Sequence, residues 1–391
     1  MLTGVYLDHN ASAPVRPEVA AAVRPWLEER YGNASSIHRA GQEARAAVEH
    51  ARRQVADLIG AQPAEIVFTS GGTESDNLAV WGTLAASLID RQPAHIVTTA
   101  IEHHAVLWAC QELERRGVAV TYIRPGADGR ISAAEAAAAL RPETRLVAVM
   151  LANNETGVLQ PVAELSAAIR AAGVPLLVDA VQAVGKIPVR VQDLGCDLLA
   201  LSGHKLHAPQ GIGALYIRRG LRLRPLFYGG RQERERRAGT ENLPGIVGLG
   251  EAARLAAAQL EEEMPRLAAL RDGLESALAQ RIPGLEALGA AAPRVPNTSY
   301  LSIAQVEGEA LVIALDLAGY RVSTGAACSS GAIEPSHVLL AMGLPPERAR
   351  GSIRISLGLA TTAEQIEGFI RTLPPLVERL RALSPASLSS P

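Results

Sequence analysis

Short apolar runs alternate with helical stretches from residue 65 to residue 202, and this alternation limits the fold more than any other feature of the chain. "EIVFTS", "HIVTTA", "VAVTYI", "RLVAVMLA", "VPLLVDA" and "DLLALS" read as strands, with "DNLAVWGTLAASL", "HAVLWACQELERRG", "SAAEAAAAL" and "PVAELSAAIRAAG" as helices between them. Strands that are apolar throughout, separated by amphipathic helices, predict a mostly parallel sheet covered on both faces. "GALYIRRGLRLRPLFYGG" reads as a β-hairpin closing this unit.

Near residue 244 the texture changes. "LPGIVGLGEAARLAAAQLEEEMPRLAALRDGLESALAQRI" reads as one long helical stretch, with a break or kink expected at Pro265. "TSYLSI", the helix "GEALVIALDLAG", a Gly/Ser-rich loop, "GSIRISLG" and a closing helix follow as an α+β arrangement. The expected organisation is a large α/β domain over residues 15–260 and a smaller α+β domain from 1–14 and 261–391. The tail "SPASLSSP" is expected to be unstructured.

The chain has 391 residues, enough for two such domains. A net charge of −2 gives no global electrostatic case for binding nucleic acid. The start "MLTGVYLDHNASAP" has no signal-peptide pattern, and no apolar run approaches the length of a membrane span. Cys110, Cys196 and Cys328 are odd in number and widely spaced, so neither a disulfide framework nor a metal cluster is expected. A reducing cytoplasm is the simplest setting.

Three stretches carry chemistry. In "FTSGGTESDN" a strand meets a glycine turn and a helix start, which is either a phosphate cup or an ordinary strand-to-helix turn. In "LLVDAVQAVGK", Asp179 ends a strand, where a carboxylate faces the ligand crevice of an α/β sheet or serves as a cap or ion-pair partner. In "SGHKLHAPQGIG", Lys205 follows a buried strand, so either it reaches out to water or its amine is wanted neutral and nucleophilic. Together, a phosphate cup, an acid for a pyridinium nitrogen and an activated lysine are what pyridoxal phosphate (PLP) requires.

The order of these three, with Lys205 26 positions after Asp179, resembles that of fold-type I PLP-dependent transferases. "YLDHNASAP", "SGGTESDN", "EHHAVL", "NNETG", "VDAVQAVGK", "SGHKLHAPQGIG", "RRAGTENLPG" and "STGAACSSGAIEPSHVL" run in sequence as in cysteine desulfurases of the NifS/IscS type, over residues 5 to about 370. The resemblance implies an α/β fold with a seven-stranded-type sheet and a smaller α+β domain. It also implies a homodimer that takes L-cysteine to L-alanine and hands sulfur to an acceptor or iron–sulfur scaffold protein.

By the same resemblance, Lys205 would carry PLP covalently, His103 would stack on its ring and move protons, and Asp179 would pair with the ring nitrogen. Gln182 would bond the phenolic oxygen. Gly72, Thr73, Ser202 and His204 would hold the phosphate, with Thr240 reaching in from the other subunit. Asn154 and Arg354 would hold the substrate carboxylate, with Asn33 nearby; an ion pair is the alternative for Arg354. Of the neighbours His103 and His104, the motif favours the first.

Cys328 lies among small residues in "TGAACSSGAIEPSH", which favour an exposed, mobile loop. Its thiolate would attack the sulfur of bound cysteine and carry it as a persulfide, whereas Cys110 and Cys196 fit buried apolar positions. This loop matches the longer-loop branch of the family, not the "RxGHHCA" branch. Ala34, Ala208 and Gln210 depart from the family pattern, which bears on rate and substrate range. The eight arginines of residues 218–237, among them Arg218, Arg222 and Arg237, are interrupted by Glu233 and Glu235 and suit an ion-paired interface more than nucleic acid. The alternatives are a selenocysteine lyase, another class V aminotransferase or lyase, or an idle interaction protein.

Overall fold

The computed structural model describes residues 4–325 and 335–383. Cys328 and the tail 384–391, on which two of the expectations above fall, lie outside the described residues. The strands in chain order are β1 (Val5–Tyr6), β2 (Ile66–Thr69), β3 (His95–Thr99), β4 (Ala119–Ile123), β5 (Thr144–Met150) and β6 (Leu176–Asp179). They continue with β7 (Leu198–Ser202), β8 (Gly213–Ile217), β9 (Leu285–Ala287), β10 (Thr298–Ile303), β11 (Tyr320–Arg321) and β12 (Ser352–Ser356).

Seven of these form the central sheet, in the order β2-β8-β7-β6-β5-β3-β4. β3 to β7 are mutually parallel, and β8 runs antiparallel to both β7 and β2. Every residue of β2, β3, β6, β7 and β8 is buried, which is why the sequence shows solid apolar runs there. Successive side chains feed two different cores: Phe68, Val97, Val178 and Leu199 on one face, Val67, Ile96, Leu177 and Leu198 on the other.

The expected hairpin over residues 213–230 is absent. Only β8 is strand, and its antiparallel partners are β2 and β7, the latter joined to it through the turn that carries Lys205. Beyond Ile217 the chain leaves the sheet, although Leu221, Leu223 and Leu226 still pack against the second face. Their alternation with arginines imitates a strand, but the backbone partner they would need is not there.

A further core surrounds β10, which lies between β9 and β12. It includes Leu7, and β1 pairs with β11, so the N-terminal segment belongs to it. The helix Leu243–Arg281 joins both regions: Ile246, Leu249 and Ala253 belong to the core of the large domain, where the helix packs against Pro17–Glu28 and Arg39–Ile59, and Leu267, Leu274 and Leu278 to the core of the smaller sheet. It runs through Pro265 unbroken, and the domain boundary expected at 260 falls inside it. Pro265 and Glu261, whose carbonyl loses its helical donor there, are both exposed.

Candidate active site

β2 is antiparallel to β8 and therefore points the same way as β3 to β7, so the C-terminal ends of six strands share one edge. In an α/β sheet that edge is where ligands bind. His103 follows β3, Asn154 follows β5, Asp179 ends β6 and Ser202 ends β7.

After β2 the helix Gly72–Ile89 starts at Gly71 with no side-chain cap. The first amides of a helix have no partner within it, and its dipole favours an anion. Glycine is required here by close approach: a Cβ on Gly213 would sit 2.6 Å from Gly71 Cα, and one on Gly72 would sit 2.7 Å from Val181 Cγ2. A Cβ on Gly72 would also lie 3.6 Å from Ser202 Cβ, and one on Gly71 3.8 Å from Ser202 Oγ, so the uncapped helix start and the Ser202 hydroxyl share one cup. His204 Nδ1 is 3.3 Å from Ser12 Oγ, which ties the turn after β7 to the N-terminal segment. Thr73, the next residue of the cup, is exposed at the first turn of the helix.

The floor of the crevice is acidic and dry. Asp179 accepts one hydrogen bond, from the Val181 N–H at 2.9 Å, and burial pushes its pKa up to about 6, opposed by Lys205. Burial, and then Asp179, raise Asp76 beneath it, and Glu102 is pushed up to about 8 chiefly by burial. Asp76 Oδ1 and Glu102 Oε2 have no hydrogen-bond partner among the described residues. A floor of carboxylates short of positive charge, beside a helix start short of an anion, fits a group with a protonated ring nitrogen at one end and a phosphate at the other. The donor set therefore fits PLP.

Lys205 Nζ donates to the carbonyls of Asn10 (2.6 Å) and Ala11 (2.7 Å). His103 caps the helix His104–Arg115, and burial, then His104 and Lys205, lower its pKa to about 4. His104 instead stacks on Trp108 with ring centroids 4.6 Å apart, and meets His337 at 4.8 Å.

Arg354 is buried and donates to Asn154 O (3.0 Å) and Asp8 Oδ1 (2.8 Å), so it makes the ion pair weighed as its alternative role. Its Nε has no partner among the described residues. Asn33 and Thr240 are exposed, and no hydrogen bond of either reaches the crevice. Ala34 and Ala208 are buried, and Gln210 Nε2 donates to Ser12 Oγ at 3.4 Å. Of the arginine-rich segment, Arg218 pairs with Asp197 and Arg237 with Glu74. The sequence reading assigned no role to Asn10, Asp8, Lys186, Asp76 or Glu102. "LDHNAS" and "VGK" stood among the quoted motifs, but nothing local marks Asn10 or Lys186 as site neighbours.

Fold and site define an enzyme of the class-V aminotransferase type: the family model described as "Aminotransferase class-V" matches residues 5–369, and the chain belongs to that family. The family is PLP-dependent. The chain is 50% identical over 381 residues to the cysteine desulfurase of Trichormus azollae, covering 97% of this chain and 94% of that one. It is 46% identical to the cysteine desulfurase IscS of Dictyoglomus turgidum, over 97% of this chain and 96% of that one. Among solved structures it resembles a NifS-like protein (TM-score 0.90, 36% identity, 96% of this chain and 100% of that one). It also resembles SspA in complex with cysteine (TM-score 0.81, 34% identity, 92% and 100%). Among the described residues no helix is long and apolar enough to cross a membrane, and no group of side chains is suited to a metal ion.

Proposed function

We propose that this chain is a PLP-dependent cysteine desulfurase that converts L-cysteine to L-alanine and transfers the sulfur to Cys328 as a persulfide. The observation that carries this reading is the meeting of Lys205, Asp179, His103 and an uncapped helix start at one sheet edge, in a chain half identical to cysteine desulfurases. In this reading Gly72, Thr73, Ser202 and His204 hold the phosphate, with Thr240 supplied by the partner subunit of a homodimer. Asp179 holds the ring nitrogen, and Gln182 the phenolic oxygen.

Bound PLP supplies the electron sink that stabilises negative charge at the substrate's α-carbon. Lys205 would anchor the cofactor, take the α-proton and return a proton to the α-carbon after sulfur leaves. Arg354 and Asn154, with Asn33 nearby, orient the substrate carboxylate. His103, neutral at working pH, holds or delivers a proton during C–S cleavage. The Cys328 thiolate forms a bond to the substrate sulfur as the C–S bond breaks, and the β-carbon, once protonated, becomes the methyl group of alanine. The persulfide then passes to a protein acceptor, a scaffold for iron–sulfur or thio-cofactor assembly, in the cytoplasm.

The test is alanine formation from cysteine with a reductant, together with mass spectrometry for persulfide. Cys328→Ala is expected to keep PLP and lose alanine formation by orders of magnitude. Near-normal alanine formation by that variant, or persulfide confined to Cys110 or Cys196, would reject the reading.

A further inference from the structure

Asn10 is 2% exposed, and every one of its polar atoms is engaged. Its N–H donates to Ser356 Oγ (2.9 Å), and its carbonyl accepts from Gln182 Nε2 (2.9 Å) and Lys205 Nζ (2.6 Å). Its side-chain Oδ1 accepts from Lys186 Nζ (2.8 Å) and Asn297 Nδ2 (3.2 Å). Its Nδ2 donates to Thr298 Oγ1 (2.9 Å) and Asn154 O (3.2 Å). One residue thus joins the candidate cofactor lysine, the Gln182 amide, the carbonyl that also receives Arg354, and the strands of the smaller sheet.

The two ends of a primary amide are almost the same shape, so packing alone does not set which way it faces; its hydrogen-bond partners do. Lys186 provides that information. Its amine is buried and donates to Gln182 Oε1 (2.6 Å) as well as to Asn10 Oδ1. Burial, with Lys205 and Arg354 nearby, pushes its pKa well down. Both oxygens accept from the one Lys186 amine. With Oε1 turned to Lys186, Gln182 Nε2 must face the other way. One of its N–H groups goes to Asn10 O and the second is left for a ligand. Turned round, Gln182 would aim an oxygen at the Asn10 carbonyl and at whatever oxygen the site binds, and both contacts would repel.

We propose that Lys186 is a positioning residue of this site: held by Asn10 Oδ1 and donating to Gln182 Oε1, it turns Gln182 so that an N–H faces the cofactor. The inference rests on the reading that the site holds PLP with Gln182 at its phenolic oxygen. It assigns a role to a second lysine, 19 residues before Lys205, that acts through Gln182.

The test measures PLP itself, by equilibrium dialysis and visible spectra of the full-length protein, without turnover. Lys186→Met keeps an unbranched four-atom stem and removes the amine donors. It is expected to weaken PLP binding about tenfold, the size of one lost hydrogen bond, and to change the spectrum of the bound cofactor. In a Gln182→Leu background the same substitution is expected to change the Kd by less than about twofold, because a residue acting through Gln182 has nothing left to act on. An equal loss in both backgrounds, or no loss in the wild-type background, would overturn the proposal, since a lysine that only supports packing behaves additively. Gln182→Glu supplies a second measurement that does not depend on Lys186→Met folding. It keeps an oxygen for Lys186 but has no N–H to present, and is expected to bind PLP as weakly as Gln182→Leu; wild-type affinity would overturn the proposal. Wild-type protein that takes up no PLP would reject the underlying reading instead.

Discussion

The Nδ1 atom of His103 accepts the backbone N–H of Ala105 at 3.1 Å, and this one bond places the proton of the neutral ring on Nε2. Burial, and then the positive neighbours His104 and Lys205, lower the pKa from 6.5 to about 4. A group that binds its proton less readily when folded makes the protein lose stability as pH falls from 6.5 toward 4. His9 and His204 shift in the same direction. Histidine NMR on the cofactor-free protein is expected to show His103 still neutral at pH 5.5, and a midpoint near 6.5 would contradict the geometry.

Glu102 has the opposite sign. Its pKa rises from 4.5 to about 8, so the folded protein holds a proton that the unfolded chain releases, and stability declines as pH climbs through that window. Glu102→Gln keeps an oxygen for Thr99 Oγ1 and the Met150 N–H, which now donate to Oε1 at 2.6 and 2.9 Å. The melting temperature of the variant relative to wild type is expected to rise steadily between pH 5 and pH 8. A pH-independent difference would show that Glu102 is ionised throughout.

Glu233 opens a run of three non-glycine residues at positive φ, with Glu233 at 46°, Arg234 at 57° and Glu235 at 65°. The run is held by the buried Glu233 carboxylate, which accepts from Arg52 at 2.7 and 2.9 Å and from the Phe68 N–H at 3.1 Å. Removing one partner of a buried pair costs about 3–5 kcal/mol. Glu233→Ala is therefore expected to lower the denaturation midpoint sharply, as urea unfolding would reveal. A loss within the scatter of surface substitutions would mean that water reaches Arg52.

Arg354 already bonds Asp8 and the Asn154 carbonyl, which fixes the plane of its guanidinium before substrate arrives. Arg354→Lys keeps the charge but loses the fork. The KM for cysteine is expected to rise by at least about tenfold, with a smaller change in kcat, as one charge-assisted hydrogen bond is lost. Initial rates over a range of cysteine concentrations decide it; an unchanged KM would confine Arg354 to its ion pair.

Cys110 and Cys196 are both buried, and burial pushes their thiols up to about 12. Iodoacetamide at pH 8 is expected to leave both unmodified in the folded protein and to label both in denaturant. Peptide mass spectrometry reads the outcome, and native labelling of Cys110 would show that its helix opens.

The crevice residues most legible in the sequence were those placed by strand ends. Asp179, Ser202 and Lys205 each follow a run of buried apolar residues, and a parallel sheet sends all such ends to one edge. Partners distant in sequence were not legible. Asn10 meets Lys205 across 195 positions, Arg52 meets Glu233 across 181, and Arg354 meets Asp8 across 346. Each is a polar residue whose value appears only when the folded chain leaves it no water. The hairpin expected after Gly213 failed for a related reason: alternation of leucine and arginine describes one half-buried face, and a strand also needs a neighbour.

The helix Leu243–Arg281 serves both sheets without interruption. At about 1.5 Å per residue, its 39 residues form a shaft nearly 60 Å long, turning with whichever end is pushed. A twist imposed on the β10 sheet therefore has a route into the core of the large domain. Cutting the chain near residue 260 to obtain an autonomous half would expose raw apolar stripes at both new ends.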